Sequence, residues 1–296
     1  MSRNNNDRLG VSDPNVGAEM PQNINTPQPQ SQQQPSSPLS FVTPTEFVEL
    51  PSGGKYYDEG HPLHGKTVIE IKHMTTREED ILTSQALLKQ NKAMDRFLQQ
   101  MILDSRINVD DLLVGDKNAI LIAARKTGYG AEYTTSIECP ACTKTVKHNF
   151  SLDLTTISSG TPDDELGENI SRTNNNTFIT SNLPVTKWSI EMRLLNSADE
   201  KKIIETAEGR RKRGLPEDLL SAQLSSFIVS IEGVTNRGQI NSAIQSMPAK
   251  DSRFLREAYS KVIPSIDLTQ EFACSECGYS GDMEVPFTTD FFWPES

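Results

Sequence analysis

Two Cys-x-x-Cys pairs constrain the fold of this chain more than any other feature of its sequence. Cys139 and Cys142 lie in "SIECPACTKT", Cys274 and Cys277 lie in "EFACSECGYSG", and 131 residues separate the two pairs. Two thiolates on one tight turn can bind the same ion, and two such turns supply the four sulfur ligands of a closed structural zinc site. The sequence therefore predicts one structural Zn²⁺ held by all four cysteines.

Other uses of these cysteines stay open at this level. Reduced cysteines can be buried without a metal, and a dithiol pair can carry redox chemistry. The redox role requires a pair at a helix start after a strand, whereas "IECPACTKTV" is typical of a hairpin. A catalytic zinc is disfavoured because four sulfurs leave no open position for water. His148 could replace one sulfur, but a filled tetrahedral site favours an ordinary strand residue there.

Composition divides the chain into four segments. Residues 1–40, ending in "NINTPQPQSQQQPSSPLS", cannot bury enough apolar surface to offset chain entropy, which predicts a disordered tail rich in Asn, Gln, Pro and Ser. Residues 41–157 and 177–296 are predicted to fold, and each contains one cysteine pair. Residues 158–176, "SSGTPDDELGENISRTNNN", predict a polar linker between them.

Hydrophobic periodicity predicts a similar order of elements in the two folded segments. Strands are predicted at residues 66–74 and 187–195, and a helix with capping-box spacing follows each strand. The paired capping residues are Thr76 with Glu79 and Ser197 with Glu200. Two helices are predicted over "TTREEDILTSQALLKQNKAMDRFLQQMILDS", and further helices at "DKNAILIAARKTGYG" (stopping at Gly128), "PEDLLSAQLSSFIVSI" and "AKDSRFLREAYSKVIP". Each cysteine pair then lies in a strand–turn–strand segment.

Equal spacings strengthen the parallel between the two segments. Cys139 follows Asp116 by 23 residues, and Cys274 follows Asp251 by 23 residues. A Leu-Pro pair precedes the strand predicted in each segment, at Leu50-Pro51 and at Leu183-Pro184. The predicted fold is α+β, with two pseudo-repeated helix-plus-β-hairpin halves joined at a four-cysteine, zinc-ribbon-like pair of knuckles. Chance similarity between two helix-rich stretches is the alternative.

The acidic charge limits which partners are expected. A net charge of −11 and a sequence pI of about 4.9 argue against broad attraction to nucleic acid or to an anionic membrane. The longest apolar run, residues 119–124, is far too short to cross a bilayer. No apolar run follows a basic segment near the beginning, so no secretory signal is expected. Without an export signal the expected compartment is the reducing cytosol, where paired cysteines bind metal or carry out redox chemistry more often than they form structural disulfides.

The glycine-rich stretch "LPSGGKYYDEG" at residues 50–60 does not fit a phosphate-binding loop. Such a loop needs a glycine at position 49 and a Ser or Thr at position 56, where this chain has Glu49 and Tyr56. The glycines instead predict a turn with positive φ. Tyr56 and Tyr57 are expected to pack on the domain with their hydroxyls in water, and docking on a partner is the alternative.

Two clusters near predicted element ends have alternative interpretations. "GRRKRG" at residues 209–214 is expected to complement the dipole of a helix end and stay solvated, with a docking patch for an acidic partner or nucleic acid as the alternative. The terminus "DFFWPES" either folds back on the core or inserts into another subunit. Its aromatic residues are Phe291, Phe292 and Trp293.

Catalysis is not predicted from any residue pattern in this chain. The four histidines accompany no nucleophile motif, and the acidic residues lie mostly at predicted helix starts and in polar segments, where capping or solvation explains them. The histidines are His61, His64, His73 and His148. The sequence therefore predicts a non-enzymatic protein without a small-molecule substrate.

Several short motifs, taken in their order along the chain, resemble those of a known protein family. They are "FVELPSGGKYY", "CPAC" after "RKTGYGAEY", "IDLTQEFACSECG" and a closing "VPFTTDFFWP", spread over about residues 41–296. Together they resemble the baseplate hub proteins of T4-like tailed bacteriophages. The resemblance implies a structural or assembly protein of the virion tail baseplate, with other baseplate and hub proteins as partners and the host bacterial cytoplasm as the assembly site. A transient assembly chaperone absent from the virion and a zinc-ribbon nucleic-acid-binding protein are the alternatives.

Overall fold

Helices and short antiparallel strands alternate along the residues described by the computed structural model, 42–89, 92–214, 218–286 and 291–292. The strands are β1 (Thr45–Glu49), β2 (Val68–Lys72), β3 (Glu132–Glu138), β4 (Thr145–Ser151), β5 (Thr156–Ser158), β6 (Ile170–Asn174), β7 (Thr177–Thr180), β8 (Ile190–Arg193), β9 (Ile228–Ile231), β10 (Ser265–Asp267), β11 (Thr269–Ala273) and β12 (Ser280–Glu284). The helices are α1 (Thr76–Thr83), α2 (Gln85–Lys89), α3 (Ala93–Met101), α4 (Val114–Tyr129), α5 (Ser197–Lys212), α6 (Leu219–Phe227), α7 (Arg237–Ser246) and α8 (Ala249–Val262). This mixture of helix and sheet confirms the predicted composition of the fold; the tail predicted over residues 1–40 lies outside the described residues.

The strands form one four-stranded sheet and four antiparallel pairs. The larger sheet has the order β6-β7-β8-β9, and the pairs are β1-β2, β3-β4, β5-β10 and β11-β12. Strand β6 lies inside the predicted polar linker, residues 158–176, so part of that polar segment is built into a sheet. The division of the chain into halves stays a prediction at this point.

The start of α1 is confirmed, but its capping residues lie one position earlier than predicted. The helix begins at Thr76, so Thr75 is its cap. The Glu78 carboxylate accepts hydrogen bonds from the Thr75 backbone N–H (3.0 Å) and hydroxyl (2.5 Å). Glu79, the predicted partner, instead accepts from the Tyr129 hydroxyl at 3.0 Å. The prediction placed the cap inside the helix rather than before it.

The start of α5 differs from the prediction in the same way. The helix begins at Ser197, and Asn196 is its cap. The Asp199 backbone N–H donates to the Asn196 side chain at 3.0 Å, and the Asn196 N–H donates to the Asp199 carboxylate at 3.2 Å. Glu200, the predicted partner, pairs with Lys117 of α4. Both helices therefore begin with reciprocal capping that sequence spacing misplaced by one residue.

The capping carboxylates also tie each helix to the strand before it. Lys72, at the end of β2, donates to Glu78 at 2.7 Å. Arg193, at the end of β8, makes a bidentate pair with Asp199 at 2.6 and 2.7 Å. Each carboxylate thus fixes both the helix start and the strand that leads into it.

Two helix ends differ from the predicted ones. Helix α4 passes Gly128 and ends at Tyr129, because Gly130 adopts a φ of +83° and donates its N–H to the Lys126 carbonyl at 3.0 Å. The helix predicted over "PEDLLSAQLSSFIVSI" ends at Phe227, and the β-branched residues that follow form β9 beside β8. Three helices, rather than the predicted two, occupy the stretch after Thr75.

A buried carboxylate in the first turn of α4 holds the loop after β1. Asp116 is fully buried and accepts from the Ser52 N–H (2.9 Å), the Ser52 hydroxyl (2.6 Å) and the Tyr57 hydroxyl (2.7 Å). Desolvation raises the pKa of Asp116 more than these donors lower it. Tyr57 also accepts from the Leu113 N–H at 3.1 Å, so its hydroxyl is engaged inside the protein rather than in water as predicted.

A second buried carboxylate holds the corner after β7. Asp251 occupies the third position of α8, as Asp116 does in α4, and is fully buried. It accepts from the Val185 N–H (2.8 Å), the Thr186 N–H (2.9 Å) and the Thr186 hydroxyl (2.7 Å). Burial opposes its ionisation, but these donors and the nearby Lys187 charge outweigh burial and lower the pKa of Asp251. Both corners follow a Leu-Pro pair.

The two folded segments contact each other through backbone and ion pairs. The Ser197 N–H donates to the Leu112 carbonyl at 2.8 Å, and the Val114 N–H donates to the Leu195 carbonyl at 3.2 Å. The ion pairs are Lys117–Glu200 and Lys201–Asp95. The start of α5 is thereby docked on the start of α4.

Replacing Asp251 by Asn should destabilise the protein by about 2–3 kcal/mol at pH 7, because two backbone N–H groups and a hydroxyl lose a charged acceptor. The folded-state pKa of Asp251 lies below its unfolded value, so the carboxylate stabilises the fold above about pH 4 and this stabilisation is lost as the pH falls through the folded-state pKa. Urea unfolding of wild type and Asp251→Asn should therefore converge in acid. The exposed Asp282→Asn is the control; an equal loss there would contradict the role of Asp251.

Candidate metal centre

The first cysteine pair lies on the turn between β3 and β4. The Cys139 N–H donates to the Lys144 carbonyl, and the Thr143 N–H donates to the Cys139 carbonyl, both at 2.9 Å. Thr143 closes the turn with a φ of +56°, a conformation that is costly for a β-branched residue. This turn directs the side chains of Cys139 and Cys142 to the same side, as predicted for a knuckle.

The second pair lies on a turn of the same backbone pattern between β11 and β12. The Cys274 N–H donates to the Tyr279 carbonyl at 2.8 Å, and the Gly278 N–H donates to the Cys274 carbonyl at 3.0 Å. Gly278 takes the place of Thr143, with a φ of +72°. A glycine adopts this conformation without strain, which explains why the sequence has one here.

The four sulfur atoms of the two turns meet in one cluster. The Sγ atoms of Cys139 and Cys277 are 3.7 Å apart, and those of Cys142 and Cys274 are 3.9 Å apart. All four Sγ atoms lie within 4.8 Å of one another. A regular tetrahedron with zinc–sulfur bonds of 2.3 Å has sulfur–sulfur edges of about 3.8 Å. The donor set therefore fits a four-sulfur metal site, and all four thiols are free of disulfides.

Contacts outside the cysteines also join the two hairpins. The Gln270 amide of β11 donates to the Ser151 carbonyl at 2.8 Å, and its oxygen accepts from the Ser151 N–H at 3.1 Å. Lys144 and Glu276, one on each turn, form an exposed ion pair at 2.8 Å. Sequence reasoning did not find these residues, because a lone Gln in a strand carries no signal of a partner 119 positions away.

Aromatic rings fill the space between the hairpins. The His148 ring packs edge-on against Phe150 and Phe272, with centroid distances of 4.7 and 5.2 Å. His148 thus packs in a strand, as the sequence favoured, and lies outside the four-sulfur cluster. Phe291 packs against Tyr133 at the base of the first hairpin, at a centroid distance of 5.1 Å.

The aromatic terminus folds back on the core over its described residues. Phe291 and Phe292 are both buried, and Phe292 packs against Phe97 of α3 at 5.0 Å between centroids. The predicted alternative, insertion of this segment into another subunit, therefore does not apply to these two rings. Trp293 lies outside the described residues.

The thiols of the cluster differ in their readiness to ionise. Burial opposes ionisation of Cys139, but the N–H groups of Cys142 and Ala141 and the neighbouring thiols outweigh burial and lower its pKa to about 7. For Cys277 the Tyr279 N–H favours the thiolate, yet desolvation and the other three sulfurs raise its pKa to about 12. A bound cation would favour the thiolate form of all four cysteines.

Two other predicted features have structural roles. Gly53 and Gly54 adopt positive φ, as predicted for the loop at residues 50–60, and a Cβ on Gly54 would meet the Lys66 backbone N at 2.4 Å. Tyr56 and Tyr57 are buried within the domain. The basic run at residues 209–214 begins in the last turn of α5, consistent with the predicted complement to the helix dipole.

Comparison with known proteins identifies the family. Among the described helices, none is long and apolar enough to cross a membrane. Neither a curated protein nor a solved structure matches this chain. Residues 43–293 match the family described as T4 bacteriophage base plate protein, which covers most of the chain, including both knuckles and the aromatic terminus. The protein therefore belongs to the T4 bacteriophage base plate protein family, and membership supports a structural role in a phage baseplate.

Proposed function

We propose that this protein is a non-enzymatic structural component of the baseplate hub, held rigid by one structural zinc ion and acting through protein–protein contacts. The observation that carries this proposal is the convergence of four sulfur atoms from distant hairpins in a member of a baseplate family. A four-sulfur zinc site is coordinatively closed and therefore stabilises a fold rather than activating water.

The zinc ion would be held by Cys139, Cys142, Cys274 and Cys277. Two edges of the sulfur cluster, at 3.7 and 3.9 Å, agree with the edge expected for tetrahedral zinc. Each knuckle has a positive φ at the residue directly after its second cysteine, Thr143 or Gly278, which keeps the sulfurs on one side. Zinc supplies a link between two hairpins that are distant in sequence.

The proposal includes two divergent copies of one unit, residues 41–157 and 177–296, with residues 158–176 between them. Matching contacts support it: each copy has a reciprocal cap, a strand-to-helix ion pair, a buried aspartate on a Leu-Pro corner and a knuckle of the same backbone pattern. The aspartates occupy the same helix position, and both lie 23 residues before a cysteine. Chance similarity would not be expected to reproduce these contacts together.

The proposed protein acts in the virion tail, with other baseplate and hub proteins as its partners, and is assembled in the host cytoplasm. Zinc contributes to rigidity by excluding states in which the hairpins separate. The family match supports the baseplate; the hub position is the finer part of the proposal.

Metal analysis should give about one zinc per chain in protein purified without chelator, since four thiolates bind one ion. His148→Phe is the matched control, because it keeps an aromatic ring beside Phe272 and removes the imidazole that the sequence offered as an alternative ligand. The control should keep its zinc. A metal-free wild type would refute the zinc site, and iron in its place would refute the identity of the metal.

Cys139→Ser and Cys274→Ser should lower the Tm by similar amounts, about 10 °C or more, because each removes one ligand of the same ion. Calorimetry with and without chelator measures the effect, and chelator should lower the Tm of wild type but hardly that of either variant. A large effect of only one substitution would show that the two pairs do not share an ion.

Mass spectrometry of purified phage particles should detect this protein at a fixed ratio to other baseplate proteins. Particles carrying the Cys139→Ser variant should contain less of it, because the destabilised fold assembles poorly. Complete absence from wild-type particles, together with presence in assembly intermediates, would instead establish the chaperone alternative.

A further inference from the structure

Helices α3 and α6 occupy equivalent positions in the two folded segments. Each has nine residues. The residue after each helix pairs with a strand that precedes the helices, Ile102 with Ile71 of β2 and Ile228 with Met192 of β8. Residues of α3 can therefore be compared with residues of α6 at the same distance from the helix start.

The start of α6 exposes aliphatic side chains where the start of α3 is covered. Leu219 and Leu220 are 50 % and 54 % exposed. Their counterparts are Ala93, which is 5 % exposed, and Met94, which packs against the core. Leu220 also lies one helical turn before the buried Leu224, so the apolar side of α6 continues past the edge of the core.

Helix α5 ends beside this exposed start and adds positive charge to it. It has 16 residues, of which only Ser197 is buried. Arg210 pairs with Asp218, so the end of α5 lies next to the start of α6. The tip of the two helices, residues 209–214 and 218–220, carries four cations and one carboxylate, and residues 209–220 together have a net charge of +2 in a chain of −11.

A small apolar hollow lies elsewhere on the chain, between residues 166–170 and helix α8. Its volume is about 180 Å³, and its apolar lining comes from Leu166, Ile170, Phe254 and Ala258. A cavity of about 150 Å³ holds a benzene molecule. The hollow is therefore large enough for one leucine side chain.

The charge around the hollow is opposite to that of the tip. Two of its carboxylates already pair with an arginine, whereas Asp164, Glu165 and Glu168 are exposed. In or beside the hollow lie five carboxylates and three cations, a net charge of −2: Asp163, Asp164, Glu165, Glu168 and Glu257 against Arg172, Arg253 and Lys261. An element that presents leucine beside arginine is complementary to this surface in both polarity and charge.

We infer that the tip of one copy of this chain docks in the hollow of a second copy. A leucine of the tip fills the hollow, and Arg211 and Arg213 face its carboxylates; both arginines are exposed, and neither has an ion-pair partner among the described residues. Because one chain supplies both surfaces, the occupant is a second copy rather than an unrelated protein. Residues 1–41 offer no acidic segment to the tip, since they contain two arginines and three acidic residues spread along their length.

The symmetry of the contact follows from its two different surfaces. Two copies related by a two-fold axis exchange tips reciprocally, whereas a head-to-tail repeat gives a ring if its rotation closes. Either arrangement buries the leucines that the isolated chain leaves exposed. The inference depends neither on the zinc ion nor on a place in the baseplate.

Paired charge reversals test this contact. The tip variant combines Arg211→Glu with Arg213→Glu, and the hollow variant combines Asp164→Lys with Glu165→Lys. Each variant alone places like charges on both surfaces, so its self-association should weaken at least about tenfold. An equimolar mixture restores opposite charges at both contacts and should associate to within about threefold of wild type.

The measurement is the mass of purified full-length protein as a function of concentration, by sedimentation velocity at low and physiological salt. Lys55→Glu with Arg77→Glu is the matched control, since it makes the same charge change at exposed positions outside both surfaces, and it should associate as wild type does. Leu219→Ala with Leu220→Ala should weaken association because the hollow loses its occupant. All variants should keep the wild-type Tm, since the changed side chains are exposed.

A monomeric wild type at all concentrations up to about 100 µM would overturn the inference. Self-association that neither charge reversal weakens, or that the mixture does not restore, would overturn it as well. Salt-dependent binding of a DNA duplex by the tip without self-association would assign the basic run to nucleic acid instead. These outcomes concern the tip and the hollow alone and leave the proposed function standing.

Discussion

A buried aspartate at the third position of a helix lies 23 residues before the first cysteine of each knuckle. Asp116 and Asp251 each fix the first turn of a helix to a Leu-Pro corner through three hydrogen bonds. A helix followed by strand residues occupies the 23 positions in both cases: α4 and β3 after Asp116, and α8, β10 and β11 after Asp251. The four sulfur atoms can then meet although the pairs are 131 residues apart.

Asp116 and Asp251 each hold a corner through three hydrogen bonds, but the pKa values of their carboxyl groups are shifted in opposite directions. Asp251 accepts two backbone N–H bonds and a hydroxyl, and its pKa falls; Asp116 accepts one N–H and two hydroxyls, and desolvation raises its pKa. Both carboxylate oxygens of Asp251 accept a backbone N–H, whereas one oxygen of Asp116 accepts only from hydroxyl groups, which can themselves act as hydrogen-bond acceptors. The corners are alike in contacts but differ in how strongly they depend on charge.

Features that depend on local spacing, such as the cysteine knuckles and the helix starts, could be predicted from the sequence. Features that depend on contacts between distant residues could not. The cysteine pairs were predicted because a two-residue gap on a turn has few other uses, and the helix starts because capping is local. The spacing of Asp116 and Asp251 was visible, but their burial was not, since Ser52, Tyr57 and Thr186 are far away in the sequence. Helix α6 was extended too far because β-branched residues pair with β8 only in the folded protein. Strand β6 was missed because its polar residues cover an edge rather than fill a core.

If the halves descend from one unit, the difference between them is as informative as the likeness. Caps, corners and knuckles recur, whereas the strand beside β7 has no counterpart beside β1 among the described residues. An open edge with exposed apolar side chains promotes aggregation, so proteins normally cover it or break it with charge. Here Glu46 and Glu49 supply charge, but Phe47 stays exposed between them. The described residues thus repeat the caps, corners and knuckles of the two halves but not the sheet around them.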